Sequence, residues 1–154
     1  MPSITDVYAS LKAILDVAGL SLPIRWRGDD TDSTGADALP DTPTPFLFCN
    51  LETDPGDIAG FGGGRGANLY RNPGYLYVYV FVPRGDGSEP LALEHGESVA
   101  VLYRSYRDSV VSVFAASVVA GGAGGTLAPP GLNSAVNAYS YALVEVLFHY
   151  DQVG

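Results

Sequence analysis

The chain has 154 residues, of which 47% are hydrophobic and 16% charged, and its formal net charge is −9. This length is typical of one domain, and the composition is sufficient for a hydrophobic core and too apolar for a disordered chain. The excess of acids argues against affinity for a phosphate backbone, which requires clustered Lys and Arg. It leaves open a DNA duplex that passes nearby without being held.

Cys49 is the only cysteine, which excludes an intrachain disulfide. It lies in the apolar run 46–51, where we expect a small buried hydrophobic residue rather than a catalytic thiol. The first residues do not read as a basic segment followed by an apolar one, and no apolar run is long enough to cross a bilayer. We therefore expect synthesis in a cytoplasm and no contact with a membrane.

The N-terminal segment predicts one amphipathic helix over residues 4–18. Ser3 is a suitable N-cap, Asp6 places an acid in the first turn, and Gly19 fits the position just after the last turn. The residues that recur at helical spacing are Ile4, Val7, Tyr8, Leu11, Ile14, Leu15 and Ala18.

Two strands and two loops are predicted next. Residues 22–27 and 45–53 have the short apolar patterns of strands. Between them, residues 28–44 are rich in acids, Gly, Pro and small polar residues and have no apolar period, which predicts an acidic loop. Residues 54–66 predict a glycine-rich loop.

The stretch 65–87 is the most informative part of the sequence. After a short strand at 67–71 and the turn signal Asn72-Pro73-Gly74, residues 75–82 alternate aromatic with aliphatic side chains. Successive strand residues point to opposite faces, so neither face of this strand is suited to water. Two surfaces must cover it, and we expect a partner subunit to supply one of them. The aromatic positions are Tyr75, Tyr77, Tyr79 and Phe81, and the aliphatic positions are Leu76, Val78, Val80 and Val82.

Pro90, at a first helical position, opens a second helix that is predicted over 90–106. Further strands are predicted over 110–119 and 135–150, with a glycine-rich loop at 120–131 between them. This order predicts an α+β fold: a mainly antiparallel sheet of about five strands packed by two helices. We expect the whole chain, residues 1–154, to form that single domain.

Residues 30–41 nearly match the calcium loop of EF-hands, with acids spaced around a glycine. However, Asp37 stands where that loop normally carries an apolar residue, Pro40 interrupts its exit, and the flanking segments are not helical. A solvated acidic loop is the favoured interpretation.

Other motifs favour turns and loops over chemistry. The glycine run 60–66 lacks the Lys-Ser/Thr of a P-loop and opens no helix, and Arg84-Gly85-Asp86 reads as a turn after Pro83 more readily than as an adhesion motif. His95 and His149 have no metal-ligand spacing, and no G-x-S-x-G nucleophile motif occurs. We therefore expect no enzyme activity and no cofactor or metal.

Several segments together are typical of one protein family. They are the end of the first helix, AGLSLPIRW (18–26), the proline-bounded strand PTPFLFCNLE (43–52), the segment NLYRNPGYLYVYVFVPRGDG (68–87), the helix LEHGESVAVLYRSYR (93–107) and the long final strand. With them, most of the chain resembles the tail terminator (tail-completion) proteins of long-tailed bacteriophages and phage-like gene transfer agents.

This resemblance implies a structural role in a virion or phage-like particle, at the head-tail junction. Such a protein forms a homo-oligomeric ring, typically a hexamer, on the growing end of the tail tube and stops tube polymerisation. Its implied partners are further copies of itself, the major tail tube protein and the head-completion (stopper) protein. DNA passes only transiently through the lumen, and an acidic ring would let it pass without holding it. The protein would be made in the cytoplasm of the bacterial host.

The contacts of such a ring are expected on the central strand and on the loops that bound it. The alternative function is a small monomeric calcium- or carbohydrate-binding module, with Tyr70, Tyr75 and Tyr77 as a stacking surface, and an enzyme with an unrecognised site is a remote third. The candidate residues for subunit or ring-to-ring contacts are Arg65, Asn68, Tyr70, Arg71, Tyr75, Tyr77, Tyr79, Arg84 and Asp86.

Overall fold

The structure, a computed structural model, describes residues 2–60, 62, 66–123 and 131–153. Within these residues, two helices and six strands follow one another, and a short 3-10 helix, Ser134–Ala138, precedes the last strand. In chain order the elements are α1 (Ile4–Val17), β1 (Ile24–Trp26), β2 (Phe46–Thr53), β3 (Asp57–Gly60), β4 (Leu69–Pro83), α2 (Ser88–Tyr103), β5 (Ser112–Ala123) and β6 (Tyr139–Val153).

The six strands form one sheet in the order β1-β2-β4-β6-β5, and β3 pairs with β4 beyond the end of β2. β1 runs parallel to β2, and every other pairing is antiparallel. The predicted α+β class, a mainly antiparallel sheet packed by two helices, is confirmed.

One strand was not expected. β3 lies within residues 54–66, which were predicted to form a glycine-rich loop. β2 ends opposite Gly74, so the edge of β4 beyond that point would be unpaired, and β3 satisfies it with the pairs Asp57↔Arg71 and Ile58↔Tyr70.

Helix α1 follows its local signals closely. Ser3 and Asp6 form a capping box: the Asp6 amide donates to Ser3 Oγ at 3.2 Å and the Ser3 amide donates to Asp6 Oδ2 at 2.7 Å. Gly19 follows the C-cap with a φ of +63°, which an L side chain rarely adopts. The buried residues of the helix are Val7, Leu11, Ile14 and Leu15.

The predicted turn at Asn72-Pro73-Gly74 is wrong. β4 is continuous, and it pairs with β6 without a register shift from Leu69↔Val153 to Pro83↔Tyr139. Proline is tolerated because it lies opposite the gap between the end of β2 and the start of β3, where no strand requires its missing N–H. Its carbonyl still accepts a hydrogen bond from the Asp54 amide at 3.1 Å.

Gly74 is explained by close packing rather than by a turn. A Cβ at this position would lie 2.3 Å from Cζ of Phe148 and 3.0 Å from the carbonyl oxygen of Glu52. The Phe148 ring therefore occupies the space that a side chain at residue 74 would need.

Helix α2 begins two residues earlier than predicted, at Ser88 rather than Pro90, and ends at Tyr103. A hydrogen bond to the sheet stabilises the two additional residues, because buried Ser88 Oγ lies 2.9 Å from Ser140 Oγ of the last strand. Gly96, which weakens the helical pattern, lies where the helix closely approaches β5: a Cβ there would be 3.0 Å from Cγ1 of Val118.

The last two strands also differ from their predicted ranges. β5 runs from Ser112 to Ala123 rather than over 110–119. The final strand was predicted from residue 135, but Ser134–Ala138 is a 3-10 helix, and β6 continues to Val153 because its end pairs with the first residues of β4.

Both helices pack against the same side of the sheet, which we call the helix side. The aliphatic residues of β4 contribute to this core, where Leu76, Val78 and Val80 are fully buried. Tyr103 of α2 donates from its hydroxyl to the carbonyl oxygen of Leu11 at 2.9 Å, which joins the two helices.

The opposite side carries a smaller aromatic cluster at the end of β4 near Pro83. Phe46 stacks on Phe81 with ring centroids 5.0 Å apart. Leu39 of the acidic loop packs against this cluster, and Val136 of the 3-10 helix belongs to it, so loops and this short helix cover the end. The buried members are Phe46, Phe48, Phe81, Leu132, Val136, Tyr139 and Tyr141.

The acidic loop is partly built into the fold. Asp37 is buried, its side chain accepts from the Gly28 amide at 2.7 Å, and its backbone forms bridges to Thr31 and Leu132. The expectation of a solvated loop over 28–44 is therefore wrong for its centre. The centre of the loop is buried because this segment packs over the aromatic cluster. A loop can pack in this way without apolar residues at regular intervals.

Candidate interaction surface

On the side of the sheet opposite the helices, no described helix or loop covers the strands away from the aromatic cluster. Strand register places the side chains there in rows: Tyr75 lies opposite Leu147, Tyr79 lies opposite Leu143, and Leu143 lies opposite Val119 of β5. We call this surface the open face. Its apolar members are Tyr75, Tyr77, Phe114, Val119, Leu143 and Leu147.

The most exposed apolar side chains of the open face come from β5. Phe114 is 60% exposed and Val119 is 42% exposed, although both are large hydrophobic residues in a strand. The ring of Phe114 lies 6.0 Å from the His149 ring, so it leans over the sheet rather than away from it. Register places Glu145 and Ser117 in the row between Leu147 and Leu143, so the apolar side chains lie on both sides of a polar row. Exposed apolar side chains grouped in this way are typical of a contact with another protein.

The two tyrosines that open the central strand form a flat platform. The Tyr75 and Tyr77 rings are nearly parallel, at 4°, with centroids 5.9 Å apart. Partial burial raises the pKa of Tyr77, and the nearby carboxylates of Glu52 and Glu145 raise it further. The hydroxyl of Tyr77 is therefore a protonated hydrogen-bond donor at neutral pH.

Tyr79 has a different environment from Tyr75 and Tyr77. It packs between Phe48, Phe81 and Tyr141, with ring centroids 6.2 to 6.4 Å away. Burial raises the pKa of Tyr79 to about 12. Among the candidate contact residues, Tyr79 is thus a half-buried member of the aromatic cluster.

Arg71 lies at the far end of the open face, paired with Asp151. Its Nε and Nη2 donate to the two carboxylate oxygens of Asp151, each at 2.9 Å. Beside it is a shallow cavity of about 390 Å³. The pKa of His149 is lowered by partial burial and by the positive charge of Arg71. The cavity is lined by Asp57, Ile58, Ala59, Arg71, Pro73, Phe114 and His149.

The remaining candidates are spread over both ends and both sides of the sheet. Tyr70 lies next to Arg71 in an unbroken strand and therefore points to the helix side, so the structure does not bring it together with Tyr75 and Tyr77. Asn68 precedes β4, whereas Arg84 and the exposed Asp86 follow its other end. A strand as long as β4 separates these two groups by roughly 45 Å. Arg65 lies outside the described residues.

Two acids of the near-EF-hand segment, Asp30 and Asp32, are engaged in contacts with neighbouring residues of the chain. Asp30 pairs with Arg25 at 3.1 Å, and Asp32 Oδ1 accepts from the hydroxyl and the amide of Thr34. The hydroxyl hydrogen bond from Thr34 is the largest cause of the lowered pKa of Asp32. In the part of the chain that the structure describes, no three His, Cys, Asp or Glu side chains are grouped to hold a metal ion.

Across the same residues, no helix has the length and apolar character to span a membrane.

Sequence reasoning identified the β4 part of the open face but missed Phe114 and Val119 of β5. A signal for them was present: β5 has no charged residue and no proline along its length. Apolar residues fall on both of its faces, as they do in β4, and the same argument for a second covering surface applies to it.

Comparison with known proteins supports the fold. Neither a family model nor a curated protein matches the sequence. Five chains of known structure do match. One of them, a protein whose name states no function, aligns over 96% of this chain and 95% of its own, with a TM-score of 0.58 and 18% sequence identity. At this identity the likeness shows a shared fold and no more.

Proposed function

We propose that this chain is a structural component of a long-tailed phage or phage-like particle, a tail terminator that forms a ring on the tail tube. In this role it stops tube polymerisation and joins the tail to the stopper protein, and DNA passes through its lumen. It acts by contact and performs no chemistry.

The observation that carries the proposal is the state of the central strand. The segment 68–87, which carries most of the family resemblance, is one continuous strand followed by a turn, and one of its sides is buried under helices. Among the described residues, the other side is covered only near Phe81, and Tyr75 and Tyr77 keep partial exposure. A structural subunit needs such a surface for its neighbours, whereas a monomeric protein rarely leaves one uncovered.

The two ends of β4 support contacts in two directions. Arg71 and Asn68 lie at one end, and Arg84 and Asp86 lie at the other. A protein between a tube and a stopper must present different surfaces at its opposite ends. We assign both ends as contacts with neighbouring tail components and the open face as a contact that assembly buries.

The charge of the chain is compatible with a DNA passage. The net charge is −9, and among the described residues Arg25, Arg71 and Arg104 are paired with carboxylates. A ring of such subunits repels phosphates, so a duplex moves through its lumen without binding.

The deletion of the gene from a system that produces particles tests this function. The expected result is full heads and separate tails that are unjoined or abnormally long, seen by negative-stain electron microscopy, with joined particles restored by the wild-type gene in trans. Normally joined particles in the deletion strain would refute the proposal.

A further inference from the structure

Each of the two lateral edges of the sheet has backbone groups without a strand partner among the described residues. The first such edge is on β5. The Ala116 carbonyl points away from β6, since it accepts a hydrogen bond from Arg104 Nε at 3.4 Å. Backbone direction alternates along a strand, so the N–H and C=O groups of Val118 and Ala120 also point away from β6. The start of the strand is closed by the Val113 amide, which donates to the Tyr106 carbonyl at 2.9 Å. From Val118 onward, no described strand of this chain pairs with that edge.

Edge strands in soluble proteins are normally protected by charges, prolines or short length. β5 runs from Ser112 to Ala123 without a charged residue or a proline. Its register shifts at Val113/Ala115 and Ala120/Gly122 leave a regular segment from Ala115 to Ala120 between them, and this segment contains Val118 and Ala120. An edge of this composition is a template for pairing with another chain, and its retention in a native fold indicates that a partner strand covers it.

The second unprotected edge is on β2, at the opposite lateral edge of the same sheet. β1 pairs with β2 only as far as Trp26↔Cys49, so the outward backbone groups of Leu51 and Thr53 have no strand partner within the described chain. β1 itself is closed, because the Trp26 amide donates to Asp29 Oδ2 at 2.8 Å and the Asp29 amide donates to the Trp26 carbonyl at 3.0 Å. Beyond β1, this edge consists of the β2 segment at Leu51 and Thr53 and then of β3, which pairs with β4 and with no other described strand.

A cavity of about 410 Å³ lies beside the open segment of β2 on the helix side. Ile4 and Tyr8 of α1 form one wall, and Leu51 and Trp26 form the other. A strand added along β2 would place alternate side chains toward this cavity, which is the arrangement by which strand addition gains specificity.

We infer that the edge of β5 at Val118 and Ala120 pairs with the edge of β2 at Leu51 and Thr53 of a second copy of this chain. This inference rests on the proposed ring. Two different edges of one sheet form a head-to-tail interface, which is the kind that closes into rings. In a continued sheet, β5 of one copy runs antiparallel to β2 of the next, since β2 and β6 run in one direction and β4 and β5 in the other.

The two edges are staggered in a way that suits a closed ring. Register across the sheet places Leu51 level with Leu76, Val146 and Ala116. Pairing Leu51 with Ala120 therefore shifts each copy by four residues (120 − 116) relative to the previous one. Such a shift tilts the strands relative to the ring axis, as closure of a sheet requires.

Proline variants at the two edges test the pairing. Ala120→Pro and Thr53→Pro each remove one outward amide that no described strand of the monomer pairs with, and Ala120→Val and Thr53→Val keep that amide as matched controls. Native mass spectrometry over a concentration series gives the oligomer distribution of the full chain, and far-UV circular dichroism checks the fold. If a proline variant fails to fold, Ala120→Lys and Thr53→Lys replace it, because an edge lysine blocks strand addition.

We expect wild type and both valine controls to assemble beyond dimers and each edge variant to remain monomeric. A mixture of Ala120→Pro with Thr53→Pro should give a one-to-one dimer and nothing larger, because one intact edge of each kind remains. Self-assembly of either proline variant, or a wild-type chain that is monomeric throughout the series, would overturn the inference. If the edge variants restored joined particles in the deletion strain as well as wild type does, the pairing would be wrong while the terminator function stood.

Discussion

Arg71 of β4 and Asp151 of β6 lie directly opposite each other and are joined by two hydrogen bonds of 2.9 Å. β5 begins opposite His149, so the pair lies beyond its first residue, Ser112. There β3, β4 and β6 continue as a three-stranded extension of the sheet. The hydrogen bond from Arg71 is the largest cause of the lowered pKa of Asp151. The pair therefore links the stability of this extension to pH.

The first prediction concerns Asp151→Asn. A carboxyl group whose folded pKa lies below its unfolded value stabilises the fold above the unfolded pKa, about 3.9, and loses that contribution as the pH falls through the folded pKa. The pair is partly exposed, so solvent screening limits the cost of the substitution to about 1 kcal/mol or less at neutral pH. Urea unfolding of both proteins at pH 7 and at pH 2 to 3 should show a difference that shrinks with acidity. A difference that is constant with pH would contradict the linkage.

Sequence-based prediction succeeded where neighbouring residues set the limits of an element and failed where residues distant in sequence set them. Helix α1 was predicted within one residue at its end because its limits are set locally by the Ser3–Asp6 box and Gly19. Asn72-Pro73-Gly74 was misread because its local turn signal is overruled by partners distant in sequence: the end of β2, the start of β3 and the ring of Phe148. No local pattern contains that information.

The same distinction applies to the candidate surface. Tyr75 and Tyr77 were identified because their alternation with aliphatic residues is visible in one segment. Phe114 instead lies in the register shift between Val113 and Ala115 on the last strand of the sheet, and both features depend on how β5 pairs with β6. Likewise, the opposite orientations of Tyr70 and Tyr75 follow from the continuity of β4, which the predicted turn had concealed.

The second prediction concerns Gly74→Ala. The added methyl group would lie 2.3 Å from Cζ of Phe148, inside a fully buried region, so either the ring or the strand must shift. Overpacking of this kind costs about 1 to 3 kcal/mol. Urea denaturation should show the loss in the free energy of unfolding. Gly85→Ala is the matched control, because nothing lies within 4 Å of its Cβ position, and its stability should be close to that of wild type.

The third prediction concerns the hydrogen bond between the helices. Tyr103→Phe removes the buried donor to the Leu11 carbonyl and leaves the packing of the ring intact. The expected loss is about 1 kcal/mol, measured by urea denaturation. Tyr106→Phe serves as the control, because the Tyr106 hydroxyl bonds to Asp108 at an exposed position and its removal should cost less. Equal losses in the two variants would argue against a structural role for the Tyr103 bond.

The fourth prediction concerns Cys49, which is fully buried in β2 and whose pKa is raised by that burial. Because the thiolate is the reactive form, the native protein should not react with Ellman's reagent, and the reaction in urea should follow the unfolding transition. Ser117→Cys places an exposed thiol on β5 as a positive control. Rapid modification of Cys49 in native buffer would show that β2 opens locally.

The fifth prediction tests the open face itself, with Val119→Ser as the probe and Val101→Ser as its matched control. Val119 is 42% exposed on β5 and Val101 is 59% exposed on α2, so both substitutions remove a partly exposed valine from the monomer. Each should change the free energy of unfolding by about 1 kcal/mol or less, since little buried apolar area is lost. If assembly buries the open face, Val119→Ser weakens the ring in native mass spectrometry and lowers the yield of joined particles, whereas Val101→Ser leaves both unchanged. Equal behaviour of the two variants would show that exposure at Val119 has no role in assembly, because the chemical change is the same and only the side of the sheet differs.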